Sequence, residues 1–156
     1  MIANVRVDHR LVHGQVSFAW SRVLKLNLIL IPSDTLLKNQ MRINMLRIAK
    51  PADVKLIIKS IDECAEAINE GLTDKYRMLI LCETIQDMYN LVNQVPEIHS
   101  VTLGGISKKE DSRQISEAVS ITSKEEKMLR DLIEKGVDVQ VQMVPDDPAR
   151  PIKDLL

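Results

Sequence analysis

Asn4-Val5-Arg6-Val7-Asp8-His9-Arg10-Leu11-Val12-His13-Gly14-Gln15 is the stretch on which the fold turns. A β-forming run, Asn4–Val7, ends at Asp8. Just past His13 an amphipathic helical pattern begins, Gln15–Leu24, with Val16, Ala19, Trp20 and Val23 on one face. The handover sets an imidazole beside two arginines, Arg6 and Arg10, and a carboxylate, Asp8. Backbone N–H groups at a helix N-terminus, here Gly14 and Gln15, favour negative charge. Arginine adds planar, multidentate recognition of phosphate, and a neutral histidine nitrogen is a competent nucleophile. Together these suit a histidine that carries a phosphoryl group for a time.

The same alternation continues along the chain. Asn27–Ile31 reads as a buried strand stopped by Pro32, and Ser33 or Asp34 is expected to cap a helix running to about Ala49. Val54–Lys59 is a third strand. Ser60-Ile61-Asp62-Glu63 has the form of a capping box and opens a helix that ends near Gly71. Arg77–Cys82 is a fourth strand, Thr84–Gln94 a helix, and His99–Leu103 a fifth strand that ends in Gly104-Gly105. A polar stretch, Ser107–Gln114, precedes a brief strand, Ala118–Ile121. Ser123-Lys124-Glu125-Glu126 is a second capping box, before a helix that stops at Gly136. Val137–Met143 alternates strictly, which places it at an edge with one wet face. One turn of helix is expected within Pro151–Leu156.

Strands of four to seven residues alternating with helices imply an α/β fold with an open, mainly parallel β-sheet and helices on both faces. Ligands in such sheets bind beyond the C-terminal strand ends. His13, Asp34 and Gly104-Gly105 all follow strands and are expected to share that edge.

A length of 156 residues fits one domain over residues 1–156, burying roughly 70% of the surface of its unfolded chain. The net charge of −1 argues against a nucleic-acid footprint. There is no apolar run of membrane-spanning length and no signal-peptide layout at Met1–Asp8. Two cysteines, Cys64 and Cys82, without a secretion signal point to the cytoplasm. Neither has a basic cluster beside it to create a thiolate. Three scattered histidines and two distant cysteines make no metal site of recognisable spacing, and no cofactor motif is present.

Arg6–Val16 closely resembles the Arg-(Ile/Val)-Asp-(Asp/Glu)-Arg-Leu-(Ile/Val)-His-Gly-Gln motif of the IIB component of the bacterial sugar phosphotransferase system, mannose/fructose/sorbose family. Ser33-Asp34 with Arg42, Leu46, Ala49 and Pro51, then Gly104-Gly105, Gln114-Ile115, Ala118-Val119-Ser120 and Lys135-Gly136-Val137, follow in the family's order. The resemblance implies about seven strands with the last antiparallel. It also implies that His13 accepts a phosphoryl group from a phosphohistidine of IIA and passes it to a sugar brought in by the membrane components IIC and IID, with Arg10 stabilising the phosphate. Asp8, Arg6, Gly14, Gln15, Asp34, Gly104 and Gly105 are supporting candidates. Two partners using one loop in turn require a shallow, exposed site. His9 stands where the family has a second acid, and Pro51-Ala52-Asp53-Val54 replaces a Pro-Pro-Gly-Val turn.

Other readings remain open at this stage. His9 is a rival acceptor four residues from His13. Other IIB families carry the phosphoryl group on cysteine, which brings Cys64 and Cys82 into consideration. A small histidine-dependent phosphatase or phosphotransferase is one alternative function, and a regulatory module read by another protein is a second. The sugar, the phosphorylated imidazole nitrogen and the oligomeric state, a homodimer included, are not legible in the sequence.

Overall fold

The computed structural model describes all 156 residues. The elements run β1 (Ile2–Val7), α1 (Gly14–Leu24), β2 (Leu28–Pro32), α2 (Gln40–Ala49), β3 (Lys55–Lys59), α3 (Ile61–Asn69), β4 (Met78–Cys82), α4 (Ile85–Val92), β5 (Ser100–Leu103), β6 (Ser112–Ser116), β7 (Val119–Thr122), α5 (Ser123–Glu134), β8 (Asp138–Val141) and β9 (Arg150–Pro151). Seven strands form one sheet in the order β3-β2-β4-β1-β5-β8-β9. All pairs in it are parallel except β8–β9. β6 and β7 form a separate antiparallel hairpin.

β2 (Leu-Ile-Leu-Ile-Pro) and β4 (Met-Leu-Ile-Leu-Cys) are buried at every position, as strands covered on both faces must be. One face of the sheet is packed by α3, α4 and α5 over a cluster of 29 buried apolar residues. The other carries a smaller cluster of 13, including Ile43 and Leu46 of α2. The fold therefore has a thick side and a thin side, and α1 and α2 make the thin one.

β1 lies in the middle of the sheet and yet alternates. Val5 and Val7 enter the larger core, while Arg6 and Asp8, two residues apart on the opposite face, are buried beneath α1. This central strand thus brings charge into the interior and sets it at the C-terminal edge, where the loop of residues 8–13 begins. That loop folds tightly. The Leu11 N–H donates to the Asp8 carbonyl at 3.0 Å, and Leu11 itself is left-handed, with φ +58°. The left-handed region costs a non-glycine residue about 1–2 kcal/mol, and burying a leucine contributes about 1.5–3 kcal/mol. Leu11 is 1% exposed, so burial holds the strained turn in place.

Four boundaries differ from the sequence expectation, each for a local reason. The helix expected from Ser33 or Asp34 is split. Ser33 Oγ accepts from the Leu36 N–H and closes a 3₁₀ turn, Leu36–Lys38, and Asn39 then caps α2 through the Arg42 N–H. The cap of α5 is Thr122, one residue early, paired reciprocally with Glu125. The polar stretch after Gly105 contains β6, whose exposed residues carry no hydrophobic period. β8 is not the edge strand. It pairs parallel with β5, and the two-residue β9 covers its other side. The expected C-terminal turn is present as a 3₁₀ turn, Ile152–Asp154.

Asp34 caps a helix, but not its own. Its Oδ1 accepts the Ile61 N–H at 3.0 Å and closes the N-terminus of α3. Loss of such a cap costs about 1 kcal/mol. Asp34→Ala is therefore expected to lower the unfolding free energy by that amount, which equilibrium urea denaturation would measure.

Candidate active site

Asp8 is the hub of the strand-end cluster. It is 2% exposed, and its carboxylate is fully engaged. Oδ1 accepts the Arg10 backbone N–H at 2.9 Å and lies 3.7 Å from Arg10 Nε. Oδ2 accepts the Gly105 N–H at 3.4 Å and faces His13 Nε2 at 3.1 Å. An ionised carboxylate only accepts hydrogen bonds, so the His13 nitrogen that faces it carries the proton. Nε2–H is held, and the lone pair of the neutral ring resides on Nδ1.

His13 is also the residue before α1. Its backbone N–H donates to Ser17 Oγ at 2.8 Å, and its side chain gives the helix no cap. α2, α3, α4 and α5 are capped by the side chains of Asn39, Ser60, Thr84 and Thr122. α1 alone has no side-chain cap and no acid in its first turn. Its leading N–H groups, beginning with the exposed Gly14 and Gln15, are thus open to an anion. Gly14 has φ +40°, a conformation that a side chain resists, and it leaves the backbone bare beside the imidazole.

Arg10 and Arg6 play opposite parts. The Arg10 side chain is 47% exposed and projects at the rim. Arg6 is buried, at 2% exposed. Its guanidinium lies 4.3 Å above the Trp20 ring and donates from Nη2 to the Met143 carbonyl at 3.0 Å, and Trp20 Nε1 donates to the same carbonyl at 2.9 Å. Burial lowers the Arg6 pKa to about 10, with Asp8 opposing the shift. Arg6 therefore stays charged at neutral pH and supports Asp8 from below. Of the face assigned to α1, only Trp20 is buried, and Val23 is 60% exposed.

His9 is engaged differently from His13. Its backbone N–H and its Nδ1 both point at the Gly105 carbonyl, at 2.8 and 3.0 Å. It ties the loop to the end of β5 and makes no contact with Asp8. Asp34 lies at the same sheet edge but is occupied with α3. Arg42, not singled out from sequence as a site residue, pairs with Glu83 and reaches the His9 carbonyl at 3.5 Å. Trp20, Met143 and Glu83 also escape a sequence reading, because segments far apart in the chain bring them in, and Ser17 meets the site through the His13 backbone N–H. The cysteines are buried thiols, Cys64 pushed up to about 12 and Cys82 well above its ordinary value by desolvation. Neither supplies a nucleophile.

The site is shallow. The His13 side chain is 19% exposed, and the void beside it, walled by Arg6, Asp8, Leu11, Val16, Ser17 and Trp20 among others, holds only about 10 Å³. Gly104 closes the cluster from the β5 side. A Cβ there would stand 2.6 Å from Arg6 Nη2 and 3.2 Å from both Asp8 Oδ2 and the Val7 carbonyl. Gly104→Ala is therefore expected to dislodge both charged side chains. Stability should fall by about 1–3 kcal/mol, as for overpacking, which thermal unfolding would measure.

Residues 2–156 match the family model of the phosphotransferase system sorbose subfamily IIB component. The fructose-specific EIIB component of Bacillus subtilis is 27% identical over 155 residues, 99% of this chain and 95% of the relative. The mannose-specific EIIAB component of Escherichia coli is 26% identical over 156 residues, all of this chain and 48% of that longer one. The crystal structure of the IIBSor domain of the sorbose permease from Klebsiella pneumoniae superposes with a TM-score of 0.93 at 27% identity, covering 99% of this chain and 94% of that one. By motif, fold and match along nearly its whole length, the chain belongs to the sorbose subfamily of IIB components of the sugar phosphotransferase system.

Proposed function

We propose that this IIB phosphotransferase component accepts its phosphoryl group on Nδ1 of His13, from a phosphohistidine of IIA, and hands it to a sugar held by the IIC and IID membrane components. The observation that carries this reading is the 3.1 Å contact of His13 Nε2 with the buried carboxylate of Asp8. It fixes one ring nitrogen as the proton carrier and leaves the other as nucleophile.

In the forward step the Nδ1 lone pair attacks phosphorus as the bond to the donor imidazole breaks. The His13 ring then gains positive charge, and Asp8 stabilises it through Nε2–H. Phosphoryl transfer passes through a loose transition state, so positioning and charge neutralisation do most of the work. The uncapped amides of α1 and the exposed guanidinium of Arg10 supply donors for the three equatorial oxygens. In the second step a sugar hydroxyl oxygen attacks the same phosphorus, the N–P bond breaks with its electron pair returning to Nδ1, and the hydroxyl proton is released to solvent. The shallow rim lets donor and acceptor approach in turn, at the cytoplasmic side of the transporter. No helix of the chain is long and apolar enough to cross a membrane.

Incubation with phosphoenolpyruvate, the general phosphotransferase proteins and a matching IIA should place one acid-labile phosphoryl group on the wild type and on His9→Ala, and none on His13→Ala. Nitrogen-15 and phosphorus NMR should assign it to Nδ1; assignment to Nε2 would contradict the role given to Asp8. Asp8→Asn removes the charge that fixes the tautomer and should slow transfer roughly 10²–10⁴-fold, while Arg10→Ala should slow it roughly 10²-fold with unchanged stability. Turnover of a phosphomonoester without partner proteins would favour a phosphatase instead.

A further inference from the structure

The layer made by α1 and α2 differs from the rest of the surface in charge and in apolarity. Between His9 and Lys50 the chain carries seven lysines and arginines against one acid, Asp34, within a protein whose net charge is −1. The same segment holds six of the eight large apolar side chains that are exposed: Phe18, Val23, Leu37, Met41, Met45 and Ile48. Asp34 is turned to the N-terminus of α3, and of the cations on α2 only Arg42 is paired with a carboxylate, that of Glu83.

The apolar residues are ordered on α2. At 3.6 residues per turn, Met41, Met45 and Ile48 fall within about 60° of one another, opposite the buried Ile43 and Leu46. They are 76%, 63% and 85% exposed, so this stripe packs against nothing in the protein. Arg42 and Arg47 flank it on either side, Arg42 paired with Glu83 and Arg47 donating to the Leu56 carbonyl at 3.3 Å. Leu37 and Lys38 lie in the 3₁₀ turn just before α2, and Arg42 in the first turn of α2 reaches the His9 carbonyl at 3.5 Å. The stripe thus begins beside the phosphoryl site and runs away from it along the thin side of the fold. Phe18 of α1 lines a trough of its own with Arg22, Lys25 and Pro51, where Asp53 is the one acid.

We propose that the α1–α2 layer is a docking face for the anionic headgroup surface of a membrane, lying against lipid while the His13 edge engages the acceptor. This rests on the reading of the protein as the partner of a membrane assembly. A second copy of the chain is disfavoured, because an isologous contact would set like charges against each other. Flexible methionines on a convex helix face adapt to an irregular surface. Arg22, Lys25 and Lys38, none of them in an ion pair, have long stems that can carry their charges past the apolar residues to phosphate headgroups. An apolar stripe fringed by cations is the arrangement by which a helix lies in the headgroup boundary.

The test is flotation of the full chain with neutral phosphatidylcholine vesicles and with vesicles in which about one-third of the lipid is phosphatidylglycerol. Binding to the anionic vesicles alone, released at roughly 1 M salt where the screening length is ~3 Å, is the expected result. The triple variant Met41→Ser, Met45→Ser, Ile48→Ser should keep the thermal midpoint, since all three side chains are exposed, and lose at least roughly tenfold in partitioning. Lys38→Glu with Arg47→Glu should lose roughly 20-fold or more, at about fivefold per cation. No association with anionic vesicles, equal association with neutral ones, or variants equal to wild type would overturn the proposal. So would variants that slow labelling by phospho-IIA while lipid is ignored, which would assign the face to an acidic protein, or a variant-sensitive dimer in sedimentation. Labelling of His13 in the absence of vesicles reports on the functional reading separately: labelled protein that ignores anionic lipid overturns the docking face alone.

Discussion

A carboxylate taken out of water must be paired or fully hydrogen-bonded, or it neutralises. Asp8, at the end of the central strand, is held under that constraint. Its partners come from three directions: the Arg10 amide from its own loop, the Gly105 amide from the end of β5, and the His13 ring from the start of α1. Satisfying one buried charge therefore also fixes the loop, joins it to the neighbouring strand and orients the imidazole. The left-handed turn at Leu11, the bare backbone at Gly14 and the close approach of Gly104 are the backbone conditions under which those partners converge.

Beneath this cluster the sheet carries a buried polar row where parallel strands ordinarily present only apolar side chains. Arg6 on β1 is in register with Thr102 on β5, which is in register with Gln140 on β8, and Gln140 Nε2 donates to Thr102 Oγ1 at 3.1 Å. Arg6 anchors the row to Trp20 and to the Met143 carbonyl, so residues far apart in the chain brace α1 from below. Breaking such a buried charged contact leaves an uncompensated group, typically at about 3–5 kcal/mol. That is why the support for Asp8 is rigid although the site above it is open.

The alternation of strands and helices was legible because β2 and β4 are short, wholly apolar and punctuated by Pro32 and by Thr84. The active loop was legible because Arg6–Gln15 carries its chemistry within ten residues. What sequence concealed were choices settled by tertiary contact. Ser33, Asp34 and Asn39 are all competent caps, and only packing assigns Asp34 to α3 and Asn39 to α2. β6 is polar on both faces and is a strand only because β7 pairs with it. The alternation in β8 pointed to an edge, and in β1 the same pattern belongs to a central strand. Arg6 broke the local rule for a buried strand, and that departure marked the site. The burial of Arg6 follows from Trp20 and Met143, which no spacing connects.

A carrier must hold its phosphoryl group firmly enough to receive it and loosely enough to release it. The two arginines divide that task. The desolvated one, whose contacts are costly to break, is kept under the site and braces the framework. Arg10, to which the proposal gives the phosphate, is exposed, and an exposed cation retains much of its hydration and loses little when its partner leaves. Interchanging these environments would give a buried guanidinium directly on the phosphate, and the charge-assisted contacts that result would deepen the intermediate and slow the second transfer. The shallow rim around His13 follows from the same balance: contacts are few, fixed in direction by Asp8 and the α1 N-terminus, and all can be surrendered to the next acceptor.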